Sequence, residues 1–300
     1  MKKILLGAHI PITGGFYNAA ISGQEVGCSA IQIFTKSNRQ WHAKPITTED
    51  SNLFCQYLKK CRIEYVMAHA SYLINLASPE KSTQNKSIAA LEIELARCHQ
   101  LGITDLVLHP GAKKDLPEEQ ALLQVAQNIN VALENSPKNT RILLETMAGQ
   151  GSTIGNTFEQ LAKIMEHVKQ QSRVAVCLDT CHIFAAGYDF STPEKYHQMW
   201  LAFNHTIGLE KLGAIHLNDS KKELGSKVDR HEEIGAGKIT KHSFELIMND
   251  EKLISVPKIL ETPKEEGLVA DKKNIRFLIN LLTKENLKHA QNTNLEIYLD

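Results

Sequence analysis

Five histidines and four carboxylates recur along this 300-residue chain, seven of them at or just beyond the end of a short apolar run and two together in the long loop after the seventh run. They are His69, His109, Glu145, Asp179 with His182, His216, Asp229 with His231, and Glu261. Singly, each has an ordinary structural explanation: a hydrogen-bonded histidine, or a carboxylate capping a helix. Jointly they are a set of metal-ligand types in which no lysine or arginine appears. Mixed imidazole and carboxylate donors suit zinc, with manganese or iron as alternatives; sulfur-rich zinc sites look different. The six cysteines make no paired C-x-x-C pattern and no disulfide framework, so they read as reduced thiols. Nine ligands exceed what one catalytic ion needs and suit two or three, especially where a carboxylate bridges. Three divalent cations would set six positive charges against the four carboxylates. The surplus attracts a phosphate. Clustered ions can polarise a phosphoryl oxygen, make hydroxide at neutral pH and stabilise a leaving oxygen.

Such residues need a frame that brings them together. Eight short runs, 4–8, 30–34, 65–68, 105–108, 141–144, 174–178, 213–217 and 257–260, are apolar on both faces, as buried parallel strands are. Helical periodicity fills the segments between them. It is clearest over 81–101, where Ile88, Leu91, Leu95, Cys98 and Leu101 share one face and Gly102 closes the end. Asn156 to Glu159 opens another helix with a capping residue, and a last one covers 271–282. Strand alternating with helix eight times predicts a single-domain α/β fold, a (β/α)8 TIM barrel over 1–285, followed by a polar tail, 286–300, that is loosely held. An open doubly wound sheet would want a glycine-rich fingerprint after the first strand, and there is none; Gly149-Gln150-Gly151 is weak evidence for one. In a barrel the candidate ligands share the C-terminal rim, where sites of this fold lie. Asp229 and His231, two apart in an extended segment, point the same way.

Lysine plus arginine equals aspartate plus glutamate, 34 each. Any attraction for nucleic acid is therefore local. Basic residues do gather in the rim loops: Lys36, Arg39 and Lys44; Lys113 and Lys114; Lys221, Lys222, Lys227 and Arg230. These are candidate phosphate contacts. The first residues imitate a secretory leader, but Gly7, His9 and Pro11 end the apolar run, and no window reaches membrane-spanning length. A cytoplasmic protein is expected.

Larger motifs join these residues. They include Gly7-Ala8-His9, Phe34-Thr35-Lys36 with Arg39-Gln40-Trp41, and His69 with Ser71-Tyr72-Leu73-Ile74-Asn75-Leu76. Further along stand His109-Pro110-Gly111, Glu145 with Ala148-Gly149-Gln150-Gly151-Ser152, and Cys177-Leu178-Asp179-Thr180-Cys181-His182. His216-Leu217-Asn218-Asp219, Val228-Asp229-Arg230-His231 and Leu260-Glu261-Thr262 complete the set. Through these motifs the chain resembles the endonuclease IV family of zinc-dependent apurinic/apyrimidinic (AP) endonucleases, over residues 4–282. The resemblance implies three Zn2+ per chain, with Mn2+ as an alternative metal. His69, His109 and Glu145 would hold the first; Glu145, Asp179, His216 and Glu261 the second; His182, Asp229 and His231 the third. Cys181 is not expected to ligate.

It further implies that Arg39, Tyr72 and Leu73 enter double-stranded DNA beside a flipped-out abasic nucleotide, which is cheaper to extrude than a paired one. Zinc-activated hydroxide would cut on the 5′ side, leaving 3′-hydroxyl and 5′-deoxyribose phosphate ends, with Glu145 as a candidate base. Removal of 3′-blocking groups and a monomeric state are also expected. Thr146, Ala68 and Ala70 depart from the family pattern beside the ligands and touch residues that orient them. Two rivals compete: a metal-dependent sugar isomerase or epimerase on the same barrel, and a non-catalytic DNA-damage binder.

Overall fold

Short strands alternate with helices throughout the computed structural model, which describes residues 2–264 and 267–299. The strands are β1 (Leu6–His9), β2 (Ala30–Phe34), β3 (Tyr65–His69), β4 (Asp105–Leu108), β5 (Arg141–Glu145), β6 (Val174–Asp179), β7 (Leu212–His216), the two-residue β8 (Asp219–Ser220) and β9 (His231–Glu232), and β10 (Lys258–Leu260). The helices are α1 (Phe16–Val26), α2 (Thr48–Lys60), α3 (Lys81–Leu101), α4 (Glu118–Glu134), α5 (Phe158–Glu166), α6 (Thr180–Ala186), α7 (Pro193–Thr206), α8 (Lys241–Asn249) and α9 (Leu268–Ile279). All strands but β8 and β9 close into one parallel barrel, in the order β1-β10-β7-β6-β5-β4-β3-β2. The fold is the expected single α/β TIM barrel. No helix among the described residues is long and apolar enough to cross a membrane.

Two layers of core hold the barrel. The larger lies between strands and helices and is rich in Leu, Ile and Phe. The smaller fills the barrel itself, with Ala30, Met67, Val107, Leu143, Ala214 and Ile259 among its members. Side chains two apart on a strand share a face. The next inward level toward the C-terminal rim is therefore Gln32, His69, His109, Glu145, His216 and Glu261, with Asp179 above Cys177. On β1 the corresponding pair is Gly7 below His9. A Cβ on Gly7 would lie 1.7 Å from the Ala30 carbonyl oxygen, so only glycine lets β1 and β2 approach this closely.

Several boundaries differ from expectation, for local reasons. β3, β5 and β6 run one residue further and include His69, Glu145 and Asp179. Their ladders continue to the rim: Phe34 pairs with His69, Glu145 with Cys177, and Asp179 with His216. Asp179 then caps α6, its Oδ1 accepting from the His182 amide at 2.8 Å. The last helix begins at Leu268 and ends at Ile279, earlier than expected at both ends. The tail is not loosely held. Two 3-10 turns, Asn286–His289 and Asn294–Tyr298, dock it against the barrel's N-terminal end. Leu295 is fully buried, the Ile4 amide donates to the His289 carbonyl at 2.9 Å, and Asn294 Nδ2 donates to the carbonyls of Cys28 and Cys61 at 2.8 and 2.7 Å.

Candidate metal centre

The rim gathers all nine candidate ligands into three adjoining sets, the first two sharing Glu145: His69, His109 and Glu145; Glu145, Asp179, His216 and Glu261; and His182, Asp229 and His231. Within each set the donor atoms lie within 4.8 Å of one another. Glu145, fully buried at the tip of β5, divides its carboxylate between two of them. Its Oε2 is 3.2 Å from His69 Nε2 and 3.0 Å from His109 Nε2. Its Oε1 is 3.0 Å from His216 Nδ1. The β8–β9 hairpin brings Asp229 and His231 to His182, which lies on α6. His182 Nε2 lies 3.1 Å from Asp229 Oδ2, and His231 Nε2 lies 3.4 Å from Asp229 Oδ1.

Most of these imidazoles are aimed by their other nitrogen. His69 Nδ1 faces the Ala70 carbonyl at 2.7 Å, His182 Nδ1 the Thr146 carbonyl at 2.8 Å, and His231 Nδ1 the Glu261 carbonyl at 3.0 Å. A carbonyl only accepts, so each of these nitrogens carries a proton, and Nε2, which faces a carboxylate in each case, is the nitrogen a metal can take by displacing any proton there. This accounts for the departures at Ala70 and Thr146, since the orienting group there is backbone. Thr146 adds its hydroxyl, which accepts from the Asp179 amide at 2.9 Å. Asn218 supports the carboxylates: its Nδ2 donates to Asp179 Oδ2 at 2.6 Å, and its Oδ1 accepts from the Glu261 amide at 2.7 Å.

The electrostatics are those of charges held together. Burial opposes ionisation of Glu145, yet His216 and His109 keep its carboxyl well below the usual range. Burial opposes ionisation of partly buried Glu261 too, but His216, His9 and His69 hold it down. Burial works against the His182 imidazolium, but Asp179, Asp229 and Glu145 raise it well above its ordinary value.

Whether metal fits can be judged from atoms the protein leaves unserved. His182 Nε2 and His231 Nε2 are buried and make no hydrogen bond among the described residues, although carboxylate oxygens are within reach. Buried polar nitrogens are seldom left this way. Converging lone pairs of imidazole and carboxylate are what a divalent cation requires. Cys181 also comes near Asp179 and His231; burial, with Asp179 beside it, pushes its thiol up to about 12, which disfavours the thiolate a metal binds.

Around the centre, Tyr72 stands 55% exposed with its ring 5.3 Å from His69 and 5.5 Å from His109. Leu73 is half-buried and Arg39 exposed. Ser71 Oγ donates to the Asn38 carbonyl at 2.8 Å and ties their two loops together. Some basic residues do not face solvent freely. Lys36 is turned inward, donating to the Gln40 carbonyl at 2.7 Å and pairing with buried Glu94 at 3.4 Å, so it is not a phosphate contact. Lys114 pairs with Glu80.

The model of the xylose isomerase-like TIM barrel family matches residues 22–285. Probable endonuclease 4 of Geobacter sulfurreducens is 44% identical over 94% of this chain and 96% of its own length. Its counterpart in Chloroflexus aggregans is 46% identical over 92% and 97%. The chain belongs to the endonuclease IV family. Endonuclease IV from Thermus thermophilus superposes with a TM-score of 0.81 at 32% identity, covering 95% of this chain and 99% of that one. D-psicose 3-epimerase from Clostridium cellulolyticum shares the fold alone, with a TM-score of 0.60 at 15% identity. Membership gives the chain a nuclease role within an AP endonuclease family that is metal-dependent.

Two residues on the same level as the ligands were not among the candidate ligands: His9, named only within a motif, and Gln32. Their signal was spacing. They stand two residues beyond Gly7 and Ala30, as His69 stands beyond Met67.

Proposed function

We propose that the protein hydrolyses the phosphodiester bond 5′ to an abasic site in double-stranded DNA, leaving 3′-hydroxyl and 5′-deoxyribose phosphate ends, and that it also removes 3′-blocking groups. The observation that carries this reading is the division of Glu145 between two of three adjoining donor sets. His69, His109 and Glu145 would hold one zinc, Glu145, Asp179, His216 and Glu261 the second, and His182, Asp229 and His231 the third. Zinc bound there would supply Lewis acidity toward phosphate, activation of water near neutral pH and stabilisation of the departing oxygen.

The chain's own groups do the rest. Glu145 stays ionised and is the candidate to accept a proton from attacking water. Tyr72, Leu73 and Arg39 project from linked loops beside the centre and would occupy the gap an abasic nucleotide leaves on extrusion. Arg39, Lys44, Lys222 and Lys227 would meet backbone phosphates.

The test is incision of a duplex bearing one abasic analogue resistant to β-elimination, using as-purified protein, metal-stripped protein and stripped protein given zinc. Incision on the 5′ side, lost on stripping and restored by zinc, is expected. Binding without incision by fully loaded protein would instead support a damage binder.

A further inference from the structure

Gln32 sits at the level where neighbouring strands present candidate ligands, and it is fully buried. Its carboxamide touches three of the residues around it. Nε2 lies 2.5 Å from Glu261 Oε1 and 2.8 Å from His9 Nδ1, and Oε1 lies 2.8 Å from His216 Nε2. The direction of the amide follows from chemistry. An ionised carboxylate only accepts hydrogen bonds, so the NH2 group faces Glu261 and the oxygen faces His216. That oxygen in turn only accepts, so His216 carries its proton on Nε2. The nitrogen left for a metal, once its own proton is displaced, is Nδ1, which is 3.0 Å from Glu145 Oε1 and 3.2 Å from Glu261 Oε2. Glu261 is divided in the same way. Oε1 is tied to Gln32, and Oε2 is left facing the centre. The other amide hydrogen faces His9 Nδ1, which also lies 3.4 Å from Glu261 Oε1. His9 Nε2 is buried, finds no hydrogen-bond partner among the described residues, and belongs to a residue lining a cavity of about 480 Å³ with Phe34, Tyr72 and Leu268.

We infer that Gln32 is a positioning residue of the metal centre: one carboxamide sets the tautomer of His216 and the orientation of Glu261, so that Nδ1 and Oε2 converge on the same ion. The inference rests on the metal reading above. His69, His182 and His231 are oriented by backbone carbonyls, which no substitution removes. His216 is oriented by a side chain, and so the effect can be deleted there. Loss of such an outer partner typically costs about 10–100-fold in metal affinity.

The experiment compares full-length wild type, Gln32→Met and Gln32→Glu. Methionine keeps the volume without the hydrogen bonds. Glutamate still accepts from His216 but sets a second carboxylate against Glu261. Three quantities are read: zinc retention against a competing chelator, the His216 tautomer by 15N NMR of the loaded protein, and the melting temperature of the metal-free protein as a check on folding. In wild type His216 is protonated on Nε2. Gln32→Met should lose this preference and release zinc about 10–100-fold more readily. Gln32→Glu should keep the tautomer yet also release zinc more readily. Normal wild-type loading, with Gln32→Met folded and unchanged in both retention and tautomer, would overturn this inference alone. Wild type that binds no zinc at saturating concentration would overturn the metal reading, and this inference with it.

Discussion

At the N-terminal end of the barrel the protein serves most buried polar groups itself, Asn286 Oδ1 being an exception; at the C-terminal end, similar groups are crowded together and left for something else. Near the closed end, Lys258 Nζ donates to the carbonyls of Leu253 and Val256. Asn294 spans the carbonyls of Cys28 and Cys61, and Tyr298 donates to the Val26 carbonyl. At the rim, His182 Nε2 and His231 Nε2 have carboxylates nearby and no hydrogen bond. The same strands serve both ends, and a shift of two residues exchanges a dry layer of Ala, Val, Leu and Met for a charged one. Unserved polar groups are costly when buried. A fold that keeps them clustered is built for a ligand that repays the cost.

The contrast can be broken most severely at Glu145. Glu145→Ala should abolish the bridge between two donor sets and reduce incision on the order of 10³-fold, the scale of a lost electrostatic stabiliser. Zinc content of the purified variant, measured beside its rate, should fall as well. Asp229→Ala and His231→Ala remove the third set only. Each should reduce incision by about 10²-fold or more and leave the other ions bound. Retained activity in these variants, toward a ketose sugar in particular, would favour an epimerase on this barrel. At the closed end the consequence is different in kind. Asn294→Ala leaves two buried carbonyls without a donor and should cost roughly 1–3 kcal/mol. The melting temperature should drop while incision per folded molecule is unchanged.

The smallest effect concerns pH. Against the opposition of burial, His182 and His216 are raised well above 6.5 in the metal-free protein. Glu145 and Glu261 are lowered well below 4.5. A histidine raised on folding contributes stability that is complete below 6.5 and is lost as pH climbs through its folded value. A carboxylate lowered on folding contributes above 4.5 and loses it as pH falls through its folded value. Chelated protein should therefore be most stable between those limits and weaken on the alkaline side. Zinc competes with the same protons, so the zinc-loaded protein should hold its melting temperature across neutral pH. Parallel thermal melts of the two forms check this.

The barrel was legible in the sequence because buried parallel strands are apolar on both faces, so a polar residue at the end of such a run stands out. His69, Glu145, Asp179 and His216 were visible for that reason, and the structure adds only that they are the last residues of their strands. Gln32 lies inside the run Ala30-Ile31-Gln32-Ile33-Phe34, and its type does not suggest a metal. It becomes visible once the two-residue step from Ala30 is followed. Lys36 was misjudged because its partner, Glu94, is far away in sequence, and such pairing leaves no local mark. The tail looked loose because its six apolar residues are interspersed with polar ones; Ala290, Leu295 and Tyr298 are the buried ones. Their burial depends on a groove formed by the rest of the chain.

The central claim is the proposal that the rim would hold three metal ions, two of them joined through Glu145. Crystals of the zinc-loaded protein, measured on both sides of the zinc absorption edge, test it directly. The account predicts three anomalous peaks, one against each donor set, with Glu145 touching two of them. A single peak, or peaks that leave Asp229 and His231 without a metal, would contradict it.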